Sequence, residues 1–161
     1  MNEIKAPQRV DLNNKISIFL AGSIEMGKAE NWQERFAREF KQWDVTLLNP
    51  RRDDWDSSWE QKKENLQFNE QVSWELEHME KADLVVFYFD PETKAPITLL
   101  ELGINATAQP EYVIVCCPEG YWRKGNVDIV CERYGVTQVE NIEDLIRVAK
   151  SRVLQQNQGA V

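Results

Sequence analysis

The feature of this chain that most constrains its fold is the alternation of short apolar runs with longer segments of helical periodicity. Five runs are typical of strands, at residues 15–21, 44–49, 82–90, 111–117 and 136–140. The run at 82–90, ADLVVFYFD, is apolar at nearly every position, as expected for a strand buried on both faces of a sheet. Between the runs, apolar residues recur every three or four positions, as in Trp32, Phe36 and Phe40. Strands that alternate with helices predict a parallel sheet covered on both faces.

We therefore expect an α/β fold, a single-domain, doubly wound, five-stranded parallel sheet flanked by helices, of the Rossmann or flavodoxin-like kind. The domain is predicted to span residues 15–155, with an N-terminal extension before it (1–14) and a frayed tail after it (156–161). In such folds ligands bind at the carboxyl ends of the strands, where the strand order reverses. The functional residues are therefore sought in the loops that follow the strands.

Composition excludes several classes of function. The net charge is −8 and the sequence pI about 4.8, which argues against a nucleic acid polymer as partner. The sequence has no apolar run of the roughly eighteen residues that a membrane helix needs. Its first residues lack the apolar core of a signal peptide, so we predict a cytoplasmic protein without a membrane partner. Three cysteines without metal-ligand spacing and a single histidine, His78, predict buried thiols and no metal site.

A glycine-rich turn, AGSIEMGKAE, follows the first predicted strand. Gly22, Gly27 and Lys28 have the spacing of a phosphate-binding loop, but Ala29 replaces the Ser or Thr that ligates Mg²⁺. Glu25 also places a negative charge where phosphates would bind. We interpret the segment as a tight turn that contacts a small ligand, partly through backbone N–H groups. The alternative, a triphosphatase, predicts Mg²⁺-dependent ATP binding that is lost when Lys28 is replaced by Ala.

A second informative stretch is APITLLELG, in which Glu101 lies between Leu100 and Leu102 in a helix that Pro96 is predicted to open. Burial raises the pKa of a carboxyl group, whereas the positive end of a helix lowers it. An ionised but poorly solvated Glu is a competent nucleophile or base. For an isolated Glu, a solvent-facing position on an amphipathic helix remains the favoured interpretation. Gly103 is expected to allow another backbone to approach closely.

Three motifs occur in order along the chain. Residues 21–24 (AGSI) follow the first strand, Glu75 stands eight residues before Asp83 at the start of the central strand, and residues 101–103 (ELG) lie in the next helix. Together, over roughly residues 15–135, they resemble the nucleoside 2-deoxyribosyltransferase family, whose relatives include the 2'-deoxynucleoside 5'-monophosphate N-glycosidases.

The resemblance implies a specific chemistry. The ELG glutamate, here Glu101, would attack C1' of a 2'-deoxynucleoside, expel the base and form a deoxyribosyl ester that a second base then attacks. Glu75 would position Glu101 or bind the sugar hydroxyls. No metal or organic cofactor is implied. The sugar would contact the turn that contains Gly22, Ser23 and Ile24, and the partners would be a nucleoside and a free base.

The resemblance also implies an oligomer. In the family, a neighbouring subunit contributes to the active site from the segment after the fifth element. Asn126 and Asp128 are the corresponding candidates, in a homodimer or higher assembly. Alternatively, Asn126 only caps the helix that follows it.

The sequence departs from the family pattern at Ala95, six residues before the nucleophile, where relatives carry Asp or Ser. This favours an uncharged nucleoside over a nucleotide and leaves open which group protonates the departing base. Asp90 and Glu92 in the same loop are candidates for that role and for substrate contact. Two further functions remain alternatives, namely hydrolysis by water and non-catalytic binding of a nucleoside or nucleotide.

The loop NPRRDDWDSSW has two alternative interpretations. Trp55 or Trp59 could stack on a base, beside Arg51 and Arg52 at the ligand edge of the sheet. Alternatively, the arginines and aspartates pair with one another in a solvated loop.

Overall fold

A computed structural model describes residues 1–10, 12, 15–24 and 30–159 of the chain. The strands of this part are β1 (Asn2–Lys5), β2 (Ile16–Gly22), β3 (Val45–Asn49), β4 (Leu84–Tyr88), β5 (Val113–Cys116) and β6 (Thr137–Val139). The α-helices are α1 (Trp32–Glu39), α2 (Leu66–Lys81), α3 (Pro96–Ala108), α4 (Lys124–Tyr134) and α5 (Ile142–Gly159). A short 3-10 helix, Pro110–Tyr112, precedes β5.

The strands form one parallel sheet in the order β1-β3-β2-β4-β5-β6. Without β1 this is the flavodoxin-like order, and the α/β class with a parallel sheet is confirmed. The chain proceeds outward from β2 to β3, and in the opposite direction from β4 to β6. The strand order therefore reverses between β2 and β4, which places the predicted ligand edge at Gly22 and at the residues that follow Tyr88.

The prediction of five strands is wrong, because the sheet has six strands in the described residues. The additional strand, β1, lies within the segment predicted as an N-terminal extension and pairs with β3, Asn2 opposite Thr46. It has four residues and a single buried apolar side chain, that of Ile4, so no alternation of apolar and polar residues marks it in the sequence. The segment becomes a strand because it pairs with β3, which is distant in the sequence.

Two layers of helices cover the sheet. On one face, α1 and α5 pack through a cluster that includes Trp32, Phe36 and Leu145. On the other, α2, α3 and α4 pack through a cluster that includes Met79, Leu102 and Val127. All five residues of β3 and of β4 are buried, as expected for strands covered on both faces.

The predicted start of α3 is confirmed, and two further helix ends have defined caps. Pro96 begins α3, Gly135 ends α4 in a left-handed conformation (φ 71°), and Oδ1 of Asn141 accepts from the backbone N–H of Asp144 to cap α5. Two helices differ in length from their sequence patterns. Helix α1 ends at Glu39, and the apolar pattern continues in turns through Phe40. Helix α5 continues through positions 156–159, part of the predicted tail.

Remaining sequence expectations concern the cysteines, the histidine and the membrane. Cys116, Cys117 and Cys131 are free and buried, as predicted. His78 stacks on the Trp74 ring at a centroid distance of 4.2 Å, and its Nδ1 lies 2.7 Å from the Trp74 carbonyl oxygen. Across the described residues, no helix combines the length and apolar character that crossing a membrane requires.

Candidate active site

The turn after β2 requires a glycine at its first position. A Cβ on Gly22 would lie 2.5 Å from the Tyr88 carbonyl oxygen and 2.8 Å from Cζ2 of Trp32. The residue also has a positive φ of 153°, which side-chain-bearing residues rarely adopt. Gly22 therefore lets β2 and β4 approach at the point where the strand order reverses. The later part of the turn, with Glu25, Gly27, Lys28 and Ala29, lies outside the described residues.

Ser23 and Asp90 connect the loops after β2 and β4. The Ser23 hydroxyl, which is buried, accepts from the backbone N–H of Asp90 at 3.0 Å and lies 2.7 Å from Oγ1 of Thr93. The Asp90 carboxylate accepts from the backbone N–H groups of Glu30 (3.2 Å) and Glu92 (2.9 Å). Both side chains thus shape the ligand edge through hydrogen bonds within the protein. Their contact with a substrate stays a prediction.

Two other residues predicted at this edge differ in their solvent exposure. Ile24 is half-buried and the Glu92 side chain is exposed. Glu92 thus carries an accessible carboxylate in the loop that leads to α3, as its predicted contact with a substrate requires.

Glu101 and Glu75 form a pair of electrostatically coupled carboxyl groups on neighbouring helices. Burial raises the pKa of Glu101 to about 8, and the negative charge of Glu75 contributes to that shift. Burial also raises the pKa of Glu75 to about 7, against a hydrogen bond from Gln71 that lowers it. Helix α2 supplies Glu75 and helix α3 supplies Glu101, so the fold brings together the two residues that the motifs predicted as catalytic. Each retains some solvent exposure, which keeps the pair accessible to a ligand.

Gln71 is a residue of this site that the sequence analysis missed. Its Nε2 donates to Oε1 of Glu75 at 2.8 Å and to the Pro50 carbonyl oxygen at 2.9 Å. The side chain is buried and links the carboxyl pair to the end of β3. The sequence did contain one signal for Gln71. It stands four residues before Glu75, and residues at that spacing lie on the same face of a helix.

The start of α3 is held in an unusual backbone conformation. Ala95 has a φ of 44° and a ψ of 54°, in the left-handed region, directly before Pro96. The preceding carbonyl oxygen, that of Lys94, accepts hydrogen bonds from the Tyr121 hydroxyl (2.6 Å) and from Nε1 of Trp122 (3.0 Å). Such strain persists where the surrounding structure fixes it, often at functional sites. The loop after β5 therefore helps to set the position of the helix that carries Glu101.

Asn126 and Asp128 lie on α4 in different environments. Helix α4 begins at Lys124 with Arg123 at the N-cap, so the alternative in which Asn126 caps the helix is wrong. Asn126 is exposed and lines a cleft of about 320 Å³ between α3 and α4. Asp128 instead pairs with Lys124 at 3.0 Å and accepts from Nε2 of Gln138, contacts that lower the pKa of Asp128 against its partial burial. In the described residues these contacts link α4 to β6.

Several large apolar side chains are exposed on α3 near Glu101 in the sequence, in the loop that precedes α4 and on α4 itself, and they are called here the apolar surface of α3 and α4. Glu101 is four residues after Ile97 and three before Ile104, on one stripe of the helix. The exposed large apolar side chains of this surface are Ile97, Leu100, Ile104, Trp122 and Ile129. Gly103 was expected to receive a close backbone contact, but no atom of the described residues lies within 4 Å of a Cβ placed there. The glycine instead opens onto the cleft between α3 and α4.

In the loop after β3, one of the two arginines forms ion pairs within the loop and with α2, as one of the two interpretations predicts. Arg52 pairs with Asp54 at 2.8 Å and with Glu70 at 3.4 Å, and it lies over the Trp59 ring at 5.1 Å. Trp55 meets Trp59 edge-on at 5.2 Å between ring centroids, and both are half-buried.

The fold and the site define a class of protein, an α/β protein with flavodoxin-like strand order and a pair of partly buried glutamates on two neighbouring helices. Comparison with protein families then identifies the family to which the chain belongs. The family described as "Nucleoside 2-deoxyribosyltransferase like" matches residues 15–121, and the chain belongs to this family. A search among curated proteins gave no match.

Proposed function

We propose that the protein breaks the N-glycosidic bond of a 2'-deoxynucleoside and transfers the deoxyribosyl group to another base, with Glu101 as nucleophile. The observation that carries this proposal is the coupled pair of Glu101 and Glu75 on adjacent helices of a family member. Burial of both carboxyl groups and the charge of Glu75 raise the cost of ionising Glu101, a cost that a purely structural role gives no reason to keep.

The reaction proceeds in two steps that balance without a metal or cofactor. A carboxylate oxygen of Glu101 bonds to C1' while the C1'–N bond breaks and its electron pair leaves with the base. A nitrogen of the second base then bonds to C1', the ester bond breaks, and its electron pair returns to the carboxylate. That nitrogen gives up its proton to water, and the departed base takes up a proton from water, so the net proton count is unchanged. Each step passes through an oxocarbenium-like state that a nearby negative charge stabilises. Glu75, hydrogen-bonded to Gln71, positions the nucleophile and sets its charge.

In this proposal, two copies of the chain assemble through the apolar surface of α3 and α4. Exposed apolar residues clustered on one part of a surface mark a site of interaction, and in this proposal the interaction is with a second copy of the chain. Asn126, exposed at the cleft, would then contact the substrate of the partner copy. Gly103, which has open space beside it, would allow the close approach of that copy.

The test is chromatography of the protein with each 2'-deoxynucleoside, with and without a second free base, beside the Glu101→Gln variant. A new nucleoside that needs both the acceptor base and Glu101 is the expected result. Free base without a new nucleoside would show that water is the acceptor. Binding of nucleosides without release of base, unchanged in Glu101→Gln, would contradict the proposed reaction.

A further inference from the structure

The segment between β4 and α3 contains a backbone conformation that is unfavourable by itself. Ala95 has a φ of 44° and a ψ of 54°, and the next residue is Pro96, which begins α3. A residue with a side chain rarely adopts this left-handed conformation, and a residue before proline favours an extended backbone. The conformation therefore persists only where the surrounding structure holds it.

Two side chains of the loop after β5 contact this segment. The Tyr121 hydroxyl and Nε1 of Trp122 both donate to the Lys94 carbonyl oxygen, at 2.6 Å and 3.0 Å. This oxygen belongs to the planar peptide group between Lys94 and Ala95. The two hydrogen bonds therefore fix the orientation of the peptide plane on which the φ of Ala95 depends. We call these two hydrogen bonds the Lys94 clamp.

Both donors of the Lys94 clamp are themselves anchored. The Tyr121 ring is buried and packs on Phe89 at 4.9 Å between ring centroids. The Trp122 ring lies beside the guanidinium of Arg123, which is 4.3 Å from the ring centroid. The backbone N–H of Lys124 donates to the Tyr121 carbonyl oxygen at 3.0 Å, at the start of α4. The clamp therefore connects the start of α3 to the end of β4 and to α4.

The parts of the chain on either side of the clamped peptide are also fixed. Before it, the backbone N–H and the hydroxyl of Thr93 both donate to the Asp90 carbonyl oxygen, at 3.0 Å and 2.9 Å. After it, the ring of Pro96 fixes the φ of that residue. The backbone N–H of Leu99 donates to the Ala95 carbonyl oxygen at 3.2 Å. The φ of Ala95 therefore sets the direction in which α3 leaves the loop.

We propose that Tyr121 and Trp122 are positioning residues that keep Glu101 next to α2. The Lys94 clamp holds Ala95 in the left-handed conformation, and this conformation directs α3 so that Glu101 lies near the helix that carries Glu75. Without the clamp, Ala95 relaxes toward an extended backbone and the first turn of α3 moves. The consequence for catalysis rests on the proposed function, whereas the effect on the position of α3 does not.

The first measurement is amide hydrogen exchange at Leu99 and Leu100 on α3, followed by NMR on the full-length protein. Tyr121→Phe removes one hydrogen bond of the clamp and keeps the aromatic ring. Exchange at these two amides should become roughly fivefold faster, as expected for the loss of a hydrogen bond. Tyr134→Phe, at an exposed tyrosine of α4, is the matched control and should change the exchange less than about twofold. Equal exchange in the wild type and Tyr121→Phe would overturn the proposal.

The substitution Ala95→Gly separates this role from simple packing. Glycine adopts the left-handed conformation without strain, so adding Ala95→Gly to Tyr121→Phe should slow the exchange again, by about twofold or more. Exchange that stays as fast as in Tyr121→Phe alone would show that Tyr121 acts through packing and not through Ala95. If Tyr121→Phe does not fold, Trp122→Phe, at a half-exposed position, carries the same predictions.

The second measurement is the rate at which base is released from a 2'-deoxynucleoside. In Tyr121→Phe/Trp122→Phe, which lacks both hydrogen bonds, kcat should fall by about tenfold or more and KM should change less than about twofold, because a small displacement of the nucleophile is costly. Ala95→Gly should restore part of kcat. An unchanged kcat would show that the clamp does not position Glu101. A wild type that releases no base would contradict the proposed function, and the exchange rates alone would then decide on the clamp.

Discussion

At the scale of single residues, the pair of Glu75 and Glu101 is expected to make both stability and the proposed activity depend on pH. The pKa of Glu101 is raised by burial and by the charge of Glu75, and the pKa of Glu75 is raised by burial. A carboxyl group whose pKa is higher in the folded than in the unfolded protein favours folding while it is protonated. That contribution is complete below the unfolded pKa and is lost as the pH rises through the folded pKa.

The free energy of unfolding should therefore fall between about pH 5 and pH 8.5 because of this pair. The window follows from ordinary values of 4.5 and folded values of about 7 and about 8. Glu101→Gln, which cannot ionise, should lose stability less steeply over the same range. Denaturant unfolding at several pH values measures the difference. Parallel curves for the two proteins would show that the pKa of Glu101 is not raised.

Glu75→Gln should shift the activity profile to lower pH. Burial is the main cause of the high pKa of Glu101, and the charge of Glu75 is the second. In the proposed reaction Glu101 attacks as a carboxylate, so kcat/KM should rise with pH through its pKa. Removing the charge of Glu75 lowers that pKa, and the rising limb of the pH–rate profile should move with it. A lower rate with an unmoved limb would show that Glu75 does not act through the ionisation of Glu101.

At the scale of elements, the close approach of β2 and β4 depends on Gly22. The Cβ of an alanine there would lie 2.5 Å from the carbonyl oxygen of Tyr88, a backbone atom that cannot move away cheaply. Gly22→Ala should lower the free energy of unfolding by about 2–4 kcal/mol, from the clash and the positive φ together.

The matched control for this prediction is Gly125→Ala on α4, where no atom of the described part of the chain lies within 4 Å of the added Cβ. It should leave stability unchanged or raise it by up to about 1 kcal/mol, because alanine favours helix more than glycine does. Thermal unfolding of both variants is the measurement. A Gly22→Ala variant as stable as the control would contradict the packing of β2 against β4.

Elements with a strong local pattern could be predicted from the sequence, and those defined by distant contacts could not. The run at 84–88 is apolar at every position, whereas β1 becomes a strand only by pairing with β3. In the candidate site, the motifs predicted Glu75 and Glu101 as a functional pair, and the fold brings the two together on neighbouring helices, whereas their catalytic role stays a prediction. The hydrogen bond from Gln71 to the Pro50 carbonyl oxygen was not predictable, because it depends on how α2 packs against the loop after β3.

One motif residue acquires a structural explanation. Asp83, part of the AD sequence, accepts from both the backbone N–H and the hydroxyl of Ser17 at 2.8 Å. It ties the start of β4 to the start of β2, at the edge of the sheet opposite the proposed site. Asp83 therefore has a structural role in the sheet, and this role explains its place in the motif without a part in the reaction.

At the scale of the whole molecule, the apolar surface of α3 and α4 should hold two copies together. Light scattering should give the mass of a dimer for the wild type and of a monomer for Leu100→Glu, with the same circular dichroism spectrum. Leu154→Glu, at an exposed position on α5, serves as control and should remain a dimer. A monomeric wild type would contradict the proposed assembly.

A shared site can be tested by mixing. Glu101→Gln and Asn126→Ala, each nearly inactive alone, should regain about a quarter of the activity when their subunits exchange, since half of the dimers are mixed and each has one intact site. Unchanged inactivity after exchange would place both residues in the site of the same copy.

The direction of the strands determines the side of the molecule on which the two ends of the described chain lie, and hence where a tag can be attached. The parallel strand β1 begins at the amino edge of the sheet, and near the end of α5 the Gln156 amide donates to the Asp83 carbonyl oxygen at that same edge. Both ends of the described chain thus leave from the side away from the carboxyl pair. An affinity tag, a surface anchor or a fluorescent reporter attached at either end would leave the entrance to the site unobstructed.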